Sequence, residues 1–489
     1  MRFAAILFFV IITEGYIVLS SELLAIRQTT PFIGNGTDTV SIIIAAVLMP
    51  LAFGYFVGGR FKPGLAHGRY MSVRKKLTRN VLISSIFLLP GLSYLFIQMF
   101  FLGLLSAGIE NRVALVTLYS LFFLVTPVFL LGQTVPLVSN YFSSEKLAQI
   151  TGKMLFCSTV GSFFGAIFST LILMNFAGVN NAVNMIFIML AAIILVITKQ
   201  KTSAPVLSVL FVAAFGLYVN SPMMMDNFKI VSNNAYNTIS ITEDETGRHF
   251  MMNNNDSSLL GPKGEKHKYV EFVEKHYLSP LAKDPTSAPK RILVVGAAGF
   301  TFGLEDTKNQ YVYIDIDKAV KNVAERDFLK EKLTANKEFV AEDVRSYLMR
   351  QNEKFDIIFL DAYLGGLTIP EYLVTYEFFM QVKQALNPGG VVAGNFIISP
   401  NFSGAFSQKL DNTLRAAFPH ITRNIVDPDY NGWDSDDSYM VNIIYTFTNT
   451  PDSNPTDIYT DNKNPISFDK PARNSIRKMP EAEGQEAQP

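Results

Sequence analysis

The 489-residue chain has one cysteine, one tryptophan and five histidines, and only 17% of its residues are charged. A single cysteine, Cys157, excludes a disulfide framework and any zinc site built on cysteine pairs. The charges cancel, 42 Lys and Arg against 42 Asp and Glu, so no basic surface is implied and nucleic acid is not an expected partner. Charge this sparse falls below what a soluble chain carries. Hydrophobic residues make up 49% of the chain, and the mean hydropathy is +0.23. These averages conceal a division: nearly all the long apolar runs lie in residues 1–220, and the remainder has an ordinary globular composition.

Apolar runs cover roughly 3–26, 40–59, 81–105, 112–138, 154–178 and 182–198. Each approaches or exceeds the roughly 20 helical residues that cross a hydrocarbon core. The first starts with little charge, contains Glu14 and Glu22 and precedes no convincing small-residue cleavage site, so it reads as a retained helix and not a signal peptide. A seventh run, 204–219, is shorter and contains Pro205. The expectation is a polytopic α-helical domain over 1–220, with six spans plus a short apolar segment, or seven spans. Arg60, Lys62, Arg69, Arg74, Lys75, Lys76 and Arg79 follow the second run. The positive-inside rule makes that segment cytoplasmic, together with the N-terminus, and Lys146, Lys153, Lys199 and Lys201 fall on the same side. Six spans return the chain to the cytoplasm; seven export it. Glu14, Glu22 and Arg27 are costly within a membrane helix, roughly 2.5–3.5 kcal/mol each. They either pair and fix packing or line a polar passage for a cation. Gly161 and Gly165 form a GxxxG pair, which lets helices approach closely.

From about 229 the pattern changes. Ile239–Ile241 and Phe250–Met252 flank a polar turn, predicting a small β-hairpin region, and a helix over Lys268–Leu278 completes a unit spanning 229–284. Residues 285–448 alternate strands and helices with short loops: strands at 291–295, 311–314, 339–340, 355–360 and 391–396, helices at 318–329 and 375–386. That alternation predicts an α/β Rossmann-like, doubly wound sheet. The tail, 449–489, is rich in Asn, Asp, Pro, Ser and Glu and reads as disordered.

Ligands of open α/β sheets bind outside the carboxyl ends of the strands. Four features collect there. Gly296-Ala-Ala-Gly299 lets backbone approach a ligand. Asp315 ends the second strand, where an acid can accept from ribose hydroxyls. Asp343 follows the third and suits an adenine edge. Asp361 follows Phe-Asp-Ile-Ile-Phe-Leu. One such aspartate alone is usually a cap or turn residue; four in this order point to a nucleoside site.

Ile292–Gly303, Tyr311–Asp317, Ala341–Leu348 and above all Phe355–Asn395 resemble the spermidine synthase (polyamine aminopropyltransferase) family. Tyr269-Val-Glu271 looks like that family's short motif ahead of its Rossmann-like domain. Asp361-Ala-Tyr-Leu-Gly-Gly-Leu-Thr-Ile-Pro370 is similar to the membrane-fused branch, as are Glu22-Leu-Leu-Ala-Ile-Arg27 and Gly58-Gly-Arg60. The resemblance implies transfer of an aminopropyl group from decarboxylated S-adenosylmethionine, as co-substrate, to putrescine or a related amine, without a metal. It assigns Asp361 as the base and Gly296, Gly299, Asp315 and Asp343 to the donor. Tyr269, Glu271 and Tyr363 fall to the amine. The donor is a cytoplasmic metabolite, which favours six spans and a C-terminal domain facing the cytoplasm from the inner membrane. The bilayer and a small amine are the implied partners, and a homo-oligomer is admitted because soluble relatives associate.

The sequence departs from the family in four places. Gly299 stands where the glycine-rich turn usually has aspartate, Asp315 replaces a glutamate, Leu364 stands where a second aspartate helps bind the diamine, and a Tyr-Pro-Ser-Gly stretch is absent. An acidic loop with Asp434 and Asp436, beside Tyr430 and Trp433, takes that neighbourhood and is expected to attract the amine or else to be a solvated loop. Two other readings stay open: a different S-adenosylmethionine-dependent transferase such as a methyltransferase, and a non-catalytic transporter or sensor that binds polyamine or nucleoside.

Overall fold

The computed structural model describes residues 2–34, 36–66, 69–142, 147–283, 287–364, 368–419, 421–427, 430, 440–447 and 458–464. The N-terminal half is a helical bundle. Helices α1 (Arg2–Ile33) and α2 (Thr37–Gly59) are followed by a small antiparallel pair, β1 (Gly64–Ala66) and β2 (Arg69–Met71). Then come α3 (Val73–Leu92), α4 (Tyr94–Ser106), α5 (Arg112–Ser139), α6 (Gln149–Ala177), α7 (Val179–Ile197) and α8 (Ala204–Val219). Among the described residues five helices are long and apolar enough to cross a membrane; α3 with α4 makes a sixth, bent by 68°. The sequence showed one continuous apolar run over 81–105. The break falls at Ser93, extended at φ −91° and ψ 126°, just after Pro90, whose missing N–H weakens the turn before it.

What faces outward from this half is apolar: Phe53, Phe156, Phe176 and Phe211 are 56, 68, 79 and 70% exposed. Large aromatics turned outward along a helical bundle are the surface that a lipid environment suits. Inside, the GxxxG pair brings α6 onto α1: a Cβ on Gly161 would lie 2.0 Å from the Ile12 carbonyl oxygen, and one on Gly165 2.5 Å from that of Tyr16. Ser169 continues the seam, accepting or donating to the Tyr16 hydroxyl at 2.9 Å and to Ser20. Glu14 is buried near Ser158, 3.5 Å away, and Glu22 is buried with no hydrogen-bond or ion-pair partner among the described residues.

The C-terminal half begins with a four-stranded antiparallel meander: β3 (Ile230–Asn233), β4 (Thr238–Asp244), β5 (Gly247–Met252) and β6 (Asn255–Leu260). The sequence pointed to one hairpin here. The outer strands, Ile-Val-Ser-Asn and Asn-Asp-Ser-Ser-Leu-Leu, lack the alternation that marks the inner pair. A seven-stranded sheet follows, in the order β12-β13-β11-β10-β7-β8-β9. Its members are β7 (Arg291–Val295), β8 (Gln310–Asp315), β9 (Lys337–Ala341), β10 (Phe355–Leu360), β11 (Leu386–Ile398), β12 (Ile421–Ile425) and β13 (Val441–Phe447). β7 to β11 are parallel and β12 and β13 antiparallel. The central strands read Ile-Leu-Val-Val and Ile-Ile-Phe-Leu and are buried on both faces, as a parallel sheet covered by helices requires. The strand expected over 391–396 begins earlier, β11 taking in Asn387–Gly390, where the pairing with β10 shifts register.

Two corrections concern the ends of predicted elements. The helix expected over 318–329 is a single α-turn, Ala319–Val323, followed by a wider π-turn to Phe328. Within the tail expected to be disordered, residues 458–464 are packed: Tyr459 is fully buried in the core, and Asp461 forms a two-pronged pair with Arg345 at 2.9 Å. One aromatic anchor and one bidentate ion pair hold this stretch despite its polar composition. The remainder of the tail lies outside the described residues.

The α1–α6 seam gives a direct test. Gly161→Val should lower bundle stability by about 1–3 kcal/mol through overpacking. Gly152→Ala, where an added Cβ meets nothing within 4 Å, should leave thermal unfolding of the detergent-solubilised protein unchanged. Equal melting temperatures for both variants would remove the close-approach argument.

Candidate active site at the strand ends

Two loops meet at the centre of the sheet's carboxyl edge. Gly296, at φ +90°, follows β7, and a Cβ there would lie 2.1 Å from the backbone oxygen of Asp361, so only glycine fits. Asp361, directly after β10, is thereby held against the glycine turn, its N–H donating to the Val295 carbonyl at 2.8 Å. Its carboxylate accepts from Asn395 Nδ2 at 3.0 Å and from the Tyr269 hydroxyl. Burial pushes Asp361 up to about 6, against the pull of Asn395, Tyr269 and the neighbouring His267. Tyr269 is buried, stacked on His267 with ring centroids 5.7 Å apart, and its phenol is raised well above the ordinary value by burial and by Asp361.

Asp315 sits across the glycine turn. It accepts from the Asp317 amide at 2.9 Å and from the amides of Ala297 and Ile316, and burial pushes it up to about 7. The same carboxylate thus shapes the turn that leaves β7 and caps its own loop. Tyr363 contributes a ring but not a free hydroxyl, because its oxygen donates to the Asn395 carbonyl at 3.2 Å and accepts from the Ile397 amide at 2.8 Å.

Other predicted residues stand elsewhere. The Gly299 amide donates to Ser258 Oγ at 3.0 Å, and a Cβ there would lie 2.5 Å from Phe328. The position is therefore packed and hydrogen-bonded, and no aspartate fits. Glu271 accepts from the Lys266 amide at 3.1 Å and pairs with Lys268 at 2.9 Å, at the start of a helix and away from Asp361. Asp343 is the N-cap of helix Val344–Arg350, accepting from Ser346 N at 3.0 Å, with Tyr372 bonded to the same carboxylate. Asp434 and Asp436 lie outside the described residues.

The sequence reading missed several groups. Asn395 was legible only as the end of the resembling stretch. Behind Tyr269, Asp256 accepts from His249 Nδ1 at 2.9 Å and faces His267 Nε2 at 3.3 Å. Burial would raise Asp256, but the two histidines hold it below its ordinary value. The third group is a polar network from the membrane half. Arg27, near the end of α1 and 6% exposed, donates from Nε to the Asn234 carbonyl at 2.6 Å and from Nη2 to Asn233 Oδ1 and Thr238 Oγ1, both at 3.1 Å. Asn234 Nδ2 in turn bonds both carboxylate oxygens of Asp317 at 2.8 and 3.0 Å, and Asn237 adds a bond at 3.1 Å. Asn253 Nδ2 bridges Asn237 Oδ1 at 2.8 Å and the Leu364 carbonyl at 2.5 Å. One guanidinium therefore reaches the loop of Asp315 by one branch and the loop of Asp361 by another. The Asn253-Asn254 turn, with both residues at positive φ, has a hairpin signature that names its turn type but not its partners.

The membrane half also closes over this edge. Tyr94 donates to Asn254 Oδ1 at 3.0 Å, Thr37 reaches Glu371 at 3.2 Å, and a Cβ on Gly34 would meet Thr368. Asn180 accepts from Asn233 at 3.1 Å, and Lys318 lies over Phe176.

If Arg27 sets both loops, Arg27→Met leaves three acceptors short of a charged donor and costs about 2–3 kcal/mol locally. Amide hydrogen exchange over 315–320 and 361–364 should then accelerate roughly 10–100-fold, while the far end of the sheet, at β12 and β13, keeps its protection. Acceleration spread evenly over the domain would mean that Arg27 supplies only general stability.

Residues 271–431 match the sequence profile of the spermine/spermidine synthase domain. A polyamine aminopropyltransferase of Vibrio vulnificus is 35% identical over 138 residues, 27% of this chain and 44% of that protein. A probable polyamine aminopropyl transferase of Bifidobacterium longum is 36% identical over 76 residues, 16% of this chain and 17% of that one. The chain thus spans less than half the length of either relative. Among solved structures, a probable spermidine synthase from Corynebacterium glutamicum is 19% identical, with a TM-score of 0.37 over 44% of this chain and 78% of that one.

Proposed function

Given a spermine/spermidine synthase domain joined to a helical membrane half, we propose that the chain transfers an aminopropyl group from decarboxylated S-adenosylmethionine to putrescine or a related amine. The observation that carries this reading is Asp361, a carboxylate raised to about 6 by burial and aimed by Tyr269 and Asn395 at the edge where the glycine turn and Asp315 would receive a nucleoside.

The chemistry needs little beyond that arrangement. The amine lone pair attacks the methylene beside the sulfonium, a C–N bond forms, and the C–S bond breaks with its electron pair left on sulfur. The products are methylthioadenosine and an aminopropylated amine. Asp361 accepts the proton that the attacking nitrogen must shed, and sulfur leaves without acid assistance. Asp315 would hold the ribose hydroxyls. Tyr269 keeps the Asp361 carboxylate in line, a positioning contribution worth more than its own hydrogen bond.

Purified full-length protein is incubated with decarboxylated S-adenosylmethionine and an amine panel including putrescine and spermidine, and products are read by mass spectrometry. Methylthioadenosine and an aminopropylated amine are expected, falling at least about 100-fold in Asp361→Asn. Since the carboxylate form is the base, it is present above its pKa. The turnover number should therefore fall about tenfold per pH unit below about 6 and level off above it. A profile flat down to pH 5 would remove Asp361 from the role.

A second reading has specific support. Leu364 stands where the family's second diamine carboxylate is expected, and the packed Gly299 leaves no room for another. A methyltransferase would methylate a panel member from S-adenosylmethionine, and a binding protein would hold either ligand without product. Both differ from the first reading in the same mass spectra.

A further inference from the structure

The two ends of the helical bundle are chemically unlike, and the C-terminal domain docks on one of them. Helix α1 runs from the first end to the second, because its last turns carry Arg27 and the contacts to Asn233, Asn234 and Thr238. Helix α2 returns: its N-terminal Thr37 meets Glu371 and Asp38 pairs with Arg112 at the second end, and it finishes at the first. Helix α3 crosses again, since the Leu92 carbonyl accepts from Gln28 at 2.9 Å beside Arg27. Helix α4, turned by 68°, stays at the second end, where Phe101 stacks on Phe32 at 5.1 Å. Helix α5 starts there at Arg112 and returns, α6 runs parallel to α1 to reach Lys318 through Phe176, and α7 returns from Asn180.

The short helix α8 decides the side. It packs antiparallel to α7, with Gly216 against Phe187, and Asn220 just past its end donates to Ser93 Oγ at 3.0 Å, at the second end again. Its 16 residues rise about 24 Å, a few ångströms short of a typical hydrocarbon core, which local thinning and snorkelling lysines accommodate. Helices α1, α2, α3, α5, α6, α7 and α8 therefore make seven crossings.

Charge then orients the bundle. Arg60, Lys62 and Arg69 lie between α2 and α3 and Arg74, Lys75, Lys76 and Arg79 in the first two turns of α3, with Lys153, Lys199 and Lys201 at the same first end. At the second end the membrane half offers Arg27 and Arg112, both buried, the latter paired with Asp38 at 2.9 Å. Positive segments stay in the cytoplasm, whereas a long domain translocates whatever its charge. We propose that the C-terminal domain lies on the membrane face opposite the basic segments, outside the cytoplasm, and that its ligands are taken from that compartment. The cytoplasmic placement expected from the donor depended on six crossings, and α8 is the seventh.

The sidedness stands apart from the catalytic reading and is tested apart from it. In the full-length protein with Cys157→Ala, a single cysteine is placed at Met349, 69% exposed in the C-terminal domain, or at Gln200 in the exposed turn between α7 and α8. Right-side-out and inside-out membrane vesicles are treated with a membrane-impermeant maleimide, and gel filtration in detergent verifies that each variant is folded. Met349→Cys should label at least tenfold faster in right-side-out vesicles, and Gln200→Cys at least tenfold faster in inside-out vesicles. The reverse pattern, or both positions labelling from one face, overturns the proposal. With the unsubstituted protein, right-side-out vesicles should also turn over externally added sulfonium donor without detergent. Turnover confined to inside-out vesicles would overturn the sidedness, whereas absence of turnover in detergent as well would count only against the catalytic reading.

Discussion

The structure depends on how a buried guanidinium is satisfied. Arg27 sits at the end of a membrane-spanning helix where little water reaches it, and an unpaired charge there would cost several kcal/mol. The compensation comes from the other half of the chain: a backbone carbonyl, an amide oxygen and a hydroxyl, all contributed by the first turn of the four-stranded meander. Neither half is complete alone, because removing the meander strands the charge, and removing α1 leaves its acceptors unpaired. The docking geometry is consequently fixed to within hydrogen-bond tolerance, and the carboxyl edge of the sheet is fixed with it.

That coupling explains why the meander is more than a spacer. Its turns hold Asn234, Asn237 and Asn253, and these amides pass the constraint on to Asp317 and to the Leu364 carbonyl. Amides suit the task because each donates and accepts, so a chain of them can join a cation on one side to a carboxylate on the other without a net charge between. The glycine turn completes the arrangement from inside the sheet, since Gly296 lets the Asp361 loop close to backbone contact.

Much of this was legible in the sequence. Apolar runs of spanning length and the Ile-Leu-Val-Val and Ile-Ile-Phe-Leu strands carry their structure in composition and period, and Asp315 and Asp361 follow from strand ends. What escaped depends on residues far apart in sequence. Arg27 read as a helix-end cation because its acceptors are more than 200 positions away. Glu271 read as a ligand because it stands two residues from Tyr269, yet on a helix those two point in different directions. Gly299 read as a ligand-approach glycine, and its real constraint, Phe328 and Ser258 pressed against its Cα, is visible only in three dimensions. Helix α8 was ambiguous because 16 residues fall between a spanning and an interfacial length.

The electrostatics of the site follow from where Arg27 is kept. The proposed sulfonium donor and a protonated amine would both be positive, so a site for them needs a negative field before it needs any particular contact. Asp315, Asp317 and Asp361 supply carboxylates there, and Asp256 adds one behind Tyr269. Arg27 would cancel part of that field if it paired with Asp317 directly. Asn234 stands between them, accepting from the guanidinium at its carbonyl and donating to the carboxylate from its side chain. The amide transmits the positional constraint while holding the positive charge one residue farther from the ligand. In a site partly closed by the helical half, where screening is weak, that spacing would favour the proposed cationic ligands more than an added carboxylate at position 299, since that side chain has no volume to occupy.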